Sequence, residues 1–152
     1  MRNKLILLLL FFVFSKVSAE NILIQSKNIK LNKQTEISIF ENDVLVKTKE
    51  NSTIKSDYAE YDKKKGFLKL KNNILAEDDK NNLVRTNNAE YFENSKTFKS
   101  YGPTKITTSE QYTIETEDVI LDKKNNLISS NKKTIIEDLD KNKIILDNFE
   151  YN

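Results

Sequence analysis

An all-β protein built of stacked, hairpin-like units is what this chain of 152 residues should form, and three features say so. Apolar residues return at a fixed spacing of 30. Within each unit they alternate with polar residues. The segments between them are rich in Asn and Asp. A fixed period without insertions gives every unit an equivalent place in a stack. Alternation with period two reads as strand, not helix.

The columns come first. Ile24, Ile54, Val84, Ile114 and Ile144 stand 30 residues apart, and all are β-branched. Ile29, Ala59, Ala89, Val119 and Phe149 form a second apolar column; Leu31, Tyr61, Tyr91, Leu121 and Tyr151 form a third. Val46, Ala76, Ile106 and Ile136 make a fourth. Ser26, Ser56, Thr86 and Thr116 make a hydroxyl column that breaks at Leu146.

The strands follow from alternation. Leu68 and Leu70 alternate with polar neighbours, as do Ile74 with Ala76 and Ile144 with Leu146. Ile, Val, Thr, Tyr and Phe dominate these positions and suit a half-buried pleated surface. Turns are expected at Asp62–Gly66, Asp78–Asn82, Asn94–Lys96 and Asp122–Asn126, where Asn, Asp and Gly tolerate left-handed backbone. Ile54 and Ser56 share a parity that Ala59 and Tyr61 lack. A straight strand cannot put all four on one face. A bulge or corner near Asp57-Tyr58 would restore the inward side, and the same slip recurs from Thr86 to Ala89 and from Thr116 to Val119. The strand therefore bends sharply there or crosses to a second sheet.

Each sheet then has one apolar face and one face of Lys, Glu, Asp and Asn. Two such sheets facing one another make either a tight sandwich or a groove. Ala59, Ala76 and Ala89 leave room for an apolar ligand, or merely offset the tyrosines.

The first nineteen residues stand apart. MRNKLILLLLFFVFSKVSA has a basic start at Arg2 and Lys4, an apolar run from Leu5 to Phe14, and Val17-Ser18-Ala19 as a cleavage signature. It reads as a secretory leader, with residues 20–152 as the working domain. The apolar run is short against the roughly 20 residues that a spanning helix needs. The whole chain carries +2, and losing Arg2, Lys4 and Lys16 brings it near neutrality. A basic face for nucleic acid is not indicated. The chain has no Cys, so disulfides cannot support an exported fold here.

Composition also argues against catalysis. With no His and no Cys, the usual general bases, thiol nucleophiles and most transition-metal sites are gone. Asp57, Glu60 and Asp62 sit close in sequence but read as outward or turn positions, not as a glycosidase pair. Glu77-Asp78-Asp79 lacks the Gly-containing calcium loop. Lys63-Lys64-Lys65 reads as a solvated hairpin tip. No enzyme activity, metal or cofactor is expected.

The phrase SDYAEYDKKKGFLKLKNNILAED resembles the OstA-like repeat of the lipopolysaccharide-transport family. Ala59-Glu60-Tyr61-Asp62 fits its small-residue and Tyr-Asp turn, and Leu68-Lys69-Leu70 its Leu-x-Leu. Asn72-Asn73-Ile74 stands at its Gly-Asn-Val, as do Asn42-Asp43-Val44 and Gly102-Pro103; Lys132-Lys133-Thr134 departs from it. The resemblance runs from about Ile22 to the end. It implies an antiparallel β-jellyroll, two sheets in a V with an apolar interior. It implies a periplasmic place in a Gram-negative cell, with outer-membrane association left open. Its implied partners are lipopolysaccharide, through the lipid A acyl chains, and other jellyroll domains added strand by strand at the sheet edges. The family holds both a free periplasmic bridge and the N-terminal part of an outer-membrane assembly protein. The fifth unit stops at Asn152, and both forms are compatible with that.

On this reading the groove is lined by Ile24, Ile54, Ala59, Leu68, Leu70, Ile74 and Ala76 from the first half. Val84, Ala89, Phe98, Ile106, Ile114, Val119 and Ile136 continue it, and Tyr61, Tyr91 and Leu121 close its wall. The competing reading is an exported structural or adhesive β-repeat protein with a filled core and no lipid ligand.

Overall fold

The computed structural model describes residues 22–151, and the leader expected at residues 1–19 lies outside the described residues. Among these residues the chain is entirely strand and turn. Its strands are β1 (Ile22–Gln25), β2 (Asn28–Asn32), β3 (Ile37–Thr48), β4 (Thr53–Asp62), β5 (Phe67–Glu77), β6 (Leu83–Phe92) and β7 (Thr97–Ser100). They continue with β8 (Pro103–Thr107), β9 (Thr113–Glu117), β10 (Ile120–Asp122), β11 (Leu127–Ser130), β12 (Thr134–Glu137), β13 (Lys143–Leu146) and β14 (Phe149–Tyr151). Every pairing is antiparallel.

The hydrogen-bonded sheet folds into two walls of a β-jellyroll. The first wall runs β2-β3-β4-β5-β6-β7-β10-β11-β14, and the second runs β1-β3-β4-β5-β6-β8-β9-β12-β13. Long strands β3 to β6 belong to both walls and turn the corner in mid-strand. After β6 the chain changes wall through short breaks, from β7 to β8, from β9 to β10, from β11 to β12 and from β13 to β14.

The corner has a backbone cause. Register slips between Glu41 and Val44 of β3, between Lys55 and Tyr58 of β4, and between Lys71 and Ile74 of β5. Asn42, Asp43, Asn72 and Asn73 all have φ between 50° and 64°. Gly102, in the third corner, has φ 78°. Two consecutive left-handed residues break the pleat and re-aim the strand. The sequence placed the bend near Asp57-Tyr58. The slip does lie there, but the left-handed residues stand on the flanking strands β3 and β5. Lys132-Lys133-Thr134, which lacks the Asn or Gly signature, has no positive φ; that corner is a plain break between β11 and β12.

The turns repeat as strictly as the strands. In the second wall the backbone NH of Asn51, Asn81, Gln111 and Lys141 donates to the carbonyl of the residue three before, and each of these four has positive φ. A side-chain oxygen of Thr48, Asp78, Thr108 or Asp138 then accepts from the NH four residues on. In the first wall the left-handed position falls at Glu36, Gly66, Lys96 and Asn126, again 30 apart.

Candidate functional site

The two inner faces meet in one apolar interior, and its geometry follows from cross-strand register. On the second wall a single rung crosses every strand. Ile24 opposes Val46, Val46 opposes Ile54, Ile54 opposes Ala76 and Ala76 opposes Val84. Val84 opposes Ile106, Ile106 opposes Ile114, Ile114 opposes Ile136, and Ile136 opposes Ile144. On the first wall Leu31 opposes Ser38, and the rung passes through Tyr61, Leu68, Tyr91, Phe98, Leu121 and Ile128 to Tyr151. A period of 30 is therefore an advance of two strands along a rung.

All seventeen residues expected to line the interior fall in this one cluster. Ile54, Ala59, Leu68, Leu70, Ile74, Val84, Ala89, Tyr91, Phe98, Ile106, Ile114, Val119 and Leu121 are buried, while Ile24, Tyr61, Ala76 and Ile136 are partly buried against them. The groove list lacked Ile22, Phe40, Val44, Val46, Ile128, Leu146 and Phe149, which share the cluster. Val46 and Phe149 stood in the 30-residue columns. Phe40 and Ile128 lie on the strands between column members and show only through the alternation of their own strands.

Four column members behave differently. Leu31 is 69% exposed, Ile29 52%, Ile144 57% and Tyr151 38%, although their columns are buried further along. They sit on β2, β13 and β14, outermost strands of the described residues, so no further described strand covers them.

At the corner the interior changes character. Ser56, Thr86, Ser100, Thr104, Thr116, Ser130 and Thr134 are buried hydroxyls. Ser56 Oγ donates to the Tyr58 carbonyl at 3.1 Å, Thr86 Oγ1 to the Pro103 carbonyl at 3.2 Å, and Thr104 Oγ1 to the Gly102 carbonyl at 3.0 Å. Thr134 Oγ1 lies 2.9 Å from both the Lys132 carbonyl and Thr116 Oγ1. Ser130 Oγ donates to the Glu117 carbonyl at 2.6 Å. Breaking the ladder frees carbonyls, and five of these hydroxyls occupy them, while Ser100 Oγ accepts from the Val119 NH and Thr116 Oγ1 bonds Ser130 Oγ.

The opposite side is a mouth, and ion pairs cross it. Lys96 Nζ lies 2.8 Å from Glu50 Oε1, and Tyr91 OH donates to Glu50 Oε2 at 3.3 Å. Lys123 Nζ lies 2.5 Å from Asp79 and 3.4 Å from Asp78. Partial burial acts to raise the Glu50 carboxyl, but the hydrogen bond from Lys96 and its charge outweigh that and hold it below the usual value. The Lys123 hydrogen bond lowers Asp79. Burial, followed by the Glu50 charge, pushes the Tyr91 phenol up, so it stays a donor.

Behind the mouth lies a narrow apolar cleft of about 40 Å³. That is far below the roughly 300–1,000 Å³ of a typical ligand pocket. The walls are thus packed against one another here, and a fatty chain enters only if they part. Wider depressions of about 550 and 650 Å³ lie outside this cleft, around Arg85, Lys105 and Glu115 and around Tyr101, Asp118 and Lys132. Their linings mix polar and apolar surface in comparable amounts.

No family model and no curated protein sequence matches the chain. Among solved structures, its fold is that of LptH from Pseudomonas aeruginosa, described as the LptA homologous periplasmic component of the conserved lipopolysaccharide transport device. The two share 12% identity and superpose with a TM-score of 0.65, over 82% of this chain and 93% of LptH.

Proposed function

We propose that this chain is a non-enzymatic module of lipopolysaccharide transport in the periplasm, exported by the leader read at residues 1–19. It takes lipid A acyl chains between its two walls and joins other jellyroll domains at its outer strands. The observation that carries this reading is the shared jellyroll, which spans nearly all of a periplasmic lipopolysaccharide-transport component. Two features of the chain agree with it. The inner faces of both walls contribute to one continuous apolar cluster. The outermost described strands expose column residues that elsewhere are covered. Each acyl CH₂ moved from water into an apolar interior gains about 0.8 kcal/mol, so partial burial of several chains holds a lipid without covalent chemistry. Direction of travel comes from an energy source elsewhere.

The test is a photo-crosslinking amino acid at Ile74 or Ile106, both facing the interior, with outward Lys69 as control. Lipopolysaccharide adducts are expected at the interior positions and not at Lys69. Their absence from both interior positions defeats the proposal.

The 40 Å³ cleft favours a second reading, a structural β-repeat protein whose filled interior takes no ligand. Lipid A added to the purified protein separates the two. A carrier gains stability by mass action, about 2.7 kcal/mol at a hundred times the dissociation constant, and melts higher, whereas a filled sandwich gains nothing.

A further inference from the structure

We propose that Lys96 and Lys123 form the head-group site for a phosphorylated amphiphile, and that carboxylates of the opposite wall hold these lysines, and hence the mouth, until such a ligand replaces them. This rests on the transport reading above and assigns the residues that select its ligand.

The geometry is that of a clasp. Lys96 belongs to the turn between β6 and β7, on the first wall, and its partner Glu50 to the turn between β3 and β4, on the second. Lys123 follows β10 on the first wall; Asp78 and Asp79 follow β5 on the second. Both contacts run from wall to wall, and the second joins the next turn along each rim through different positions of the 30-residue unit. The Lys123 backbone NH donates to the Lys96 carbonyl at 3.2 Å, so the two cations rise from adjoining turns of one rim. Both lysines line the apolar cleft, whose floor is Ile54, Ala76, Val84, Phe98 and Leu121. A lipid with its tail in that cleft would have its head at these two ammonium groups.

The chemistry of the closure fits displacement. An apolar lid would stay shut against any ligand. Partly exposed ion pairs are weak and screened by salt. Lys96 keeps 42% of its side chain exposed and Asp79 49%, while Glu50 and Lys123 keep 21% and 23%. A phosphate offers the lysines an acceptor at least as good as a carboxylate. Exchange therefore costs little electrostatically, while the parting walls admit the tail. An uncharged amphiphile with the same tail must break the clasp with nothing in return. Two neighbouring cations suit a head with two anionic groups.

The test uses the full mature protein and two probes of equal tail, tetradecyl phosphate and tetradecyl maltoside, titrated calorimetrically below their micelle concentrations. The variants are Glu50→Gln with Asp78→Asn and Asp79→Asn, and Lys96→Gln with Lys123→Gln. Asn at position 78 keeps an oxygen for the turn bond to Asn82; Glu50→Gln with Asp79→Asn alone serves if the triple change impairs folding. The wild type should prefer the phosphate. The carboxylate variant should bind both probes roughly two- to tenfold tighter. The lysine variant should bind the maltoside tighter and lose the phosphate preference. Phosphate preference retained in the lysine variant overturns the head-group site while the transport reading stands. Failure of every form to bind either probe overturns both. Closure itself has a separate readout, because the chain has no Cys. Spin labels at Lys49→Cys and Ser95→Cys, on facing turns, should show a broader distance distribution in the carboxylate variant; an unchanged distribution overturns the clasp.

Discussion

Four residues with left-handed backbone let this chain turn a corner without ending its strands. Asn42 and Asp43, and again Asn72 and Asn73, sit at positive φ in mid-strand. A β-branched residue there meets a steric penalty of about 1–2 kcal/mol, whereas glycine meets none. Asn72→Val is therefore expected to lose about 1–2 kcal/mol in urea unfolding and Asn72→Gly to lose little or nothing. Equal losses would mean that the Asn side chain, not its backbone, makes the corner. Gly102 tests the same point with less interference, because a Cβ added there would meet nothing within 4 Å. Any loss in Gly102→Ala is then a loss from the dihedral. The bend was legible, since the change of parity between Ser56 and Ala59 cannot be reconciled with a straight strand. Its exact carriers were legible only as a short motif, Asn-Asp-Val or Asn-Asn-Ile. A slip of register belongs to a pair of strands, and a single strand's pattern does not say which member holds the extra residue.

At the scale of strands and turns, the 30-residue period determines almost everything that recurs. It fixes the left-handed turn positions, the side-chain oxygens that cap them, and the alternating members of each rung. It does not show what a recurring residue is for. Ser56, Thr86 and Thr116 were legible as a hydroxyl column; their task at the corner was not, because the partners come from other strands. Thr116 and Thr134 illustrate this. They lie 18 residues apart, outside the period, and are joined by a 2.9 Å hydrogen bond in a fully buried setting. Thr134→Val keeps the shape, removes the hydroxyl, and leaves the Lys132 carbonyl short of a partner, while Thr116 keeps only its 3.2 Å bond to Ser130 Oγ. A buried group left unsatisfied costs about 1–3 kcal/mol. A loss of that size in denaturant unfolding is expected, with a smaller one for Ser26→Ala, whose hydroxyl bonds the Asn28 carbonyl in an exposed setting. Equal losses at the two sites would remove burial as the cause. The mouth pairs were illegible for a related reason. Lys96 with Glu50 and Lys123 with Asp79 are set by how two walls face one another, which no local pattern encodes.

For the molecule as a whole, the two ends of the stack are different surfaces. One end offers β1 and β2, with Ile29 and Leu31 uncovered; the other offers β13 and β14, with Ile144 uncovered. Among the described residues each is an edge of unpaired backbone groups beside an apolar rung that stops short. Under the proposed function these edges meet end to end, β13 and β14 of one copy against β1 and β2 of the next. Such a contact is heterologous and does not close on itself, so copies add without a fixed number. That asymmetry makes a test which simple disruption cannot. Leu31→Lys blocks one end and Ile144→Lys the other. Sedimentation of the wild type should show assembly that lengthens with concentration. Each variant alone should be a monomer, because every contact would need one blocked end. Mixed in equal amounts, the two variants should form a dimer and stop there, since each contributes its remaining good end to a single junction. If the contact instead joined like ends, each variant would dimerise alone through its intact edge, and mixing would add nothing. If the exposed rungs take no part, both variants would assemble as the wild type does. Only the pattern of monomer, monomer and mixed dimer is consistent with a stack that continues the repeat of this chain across its ends.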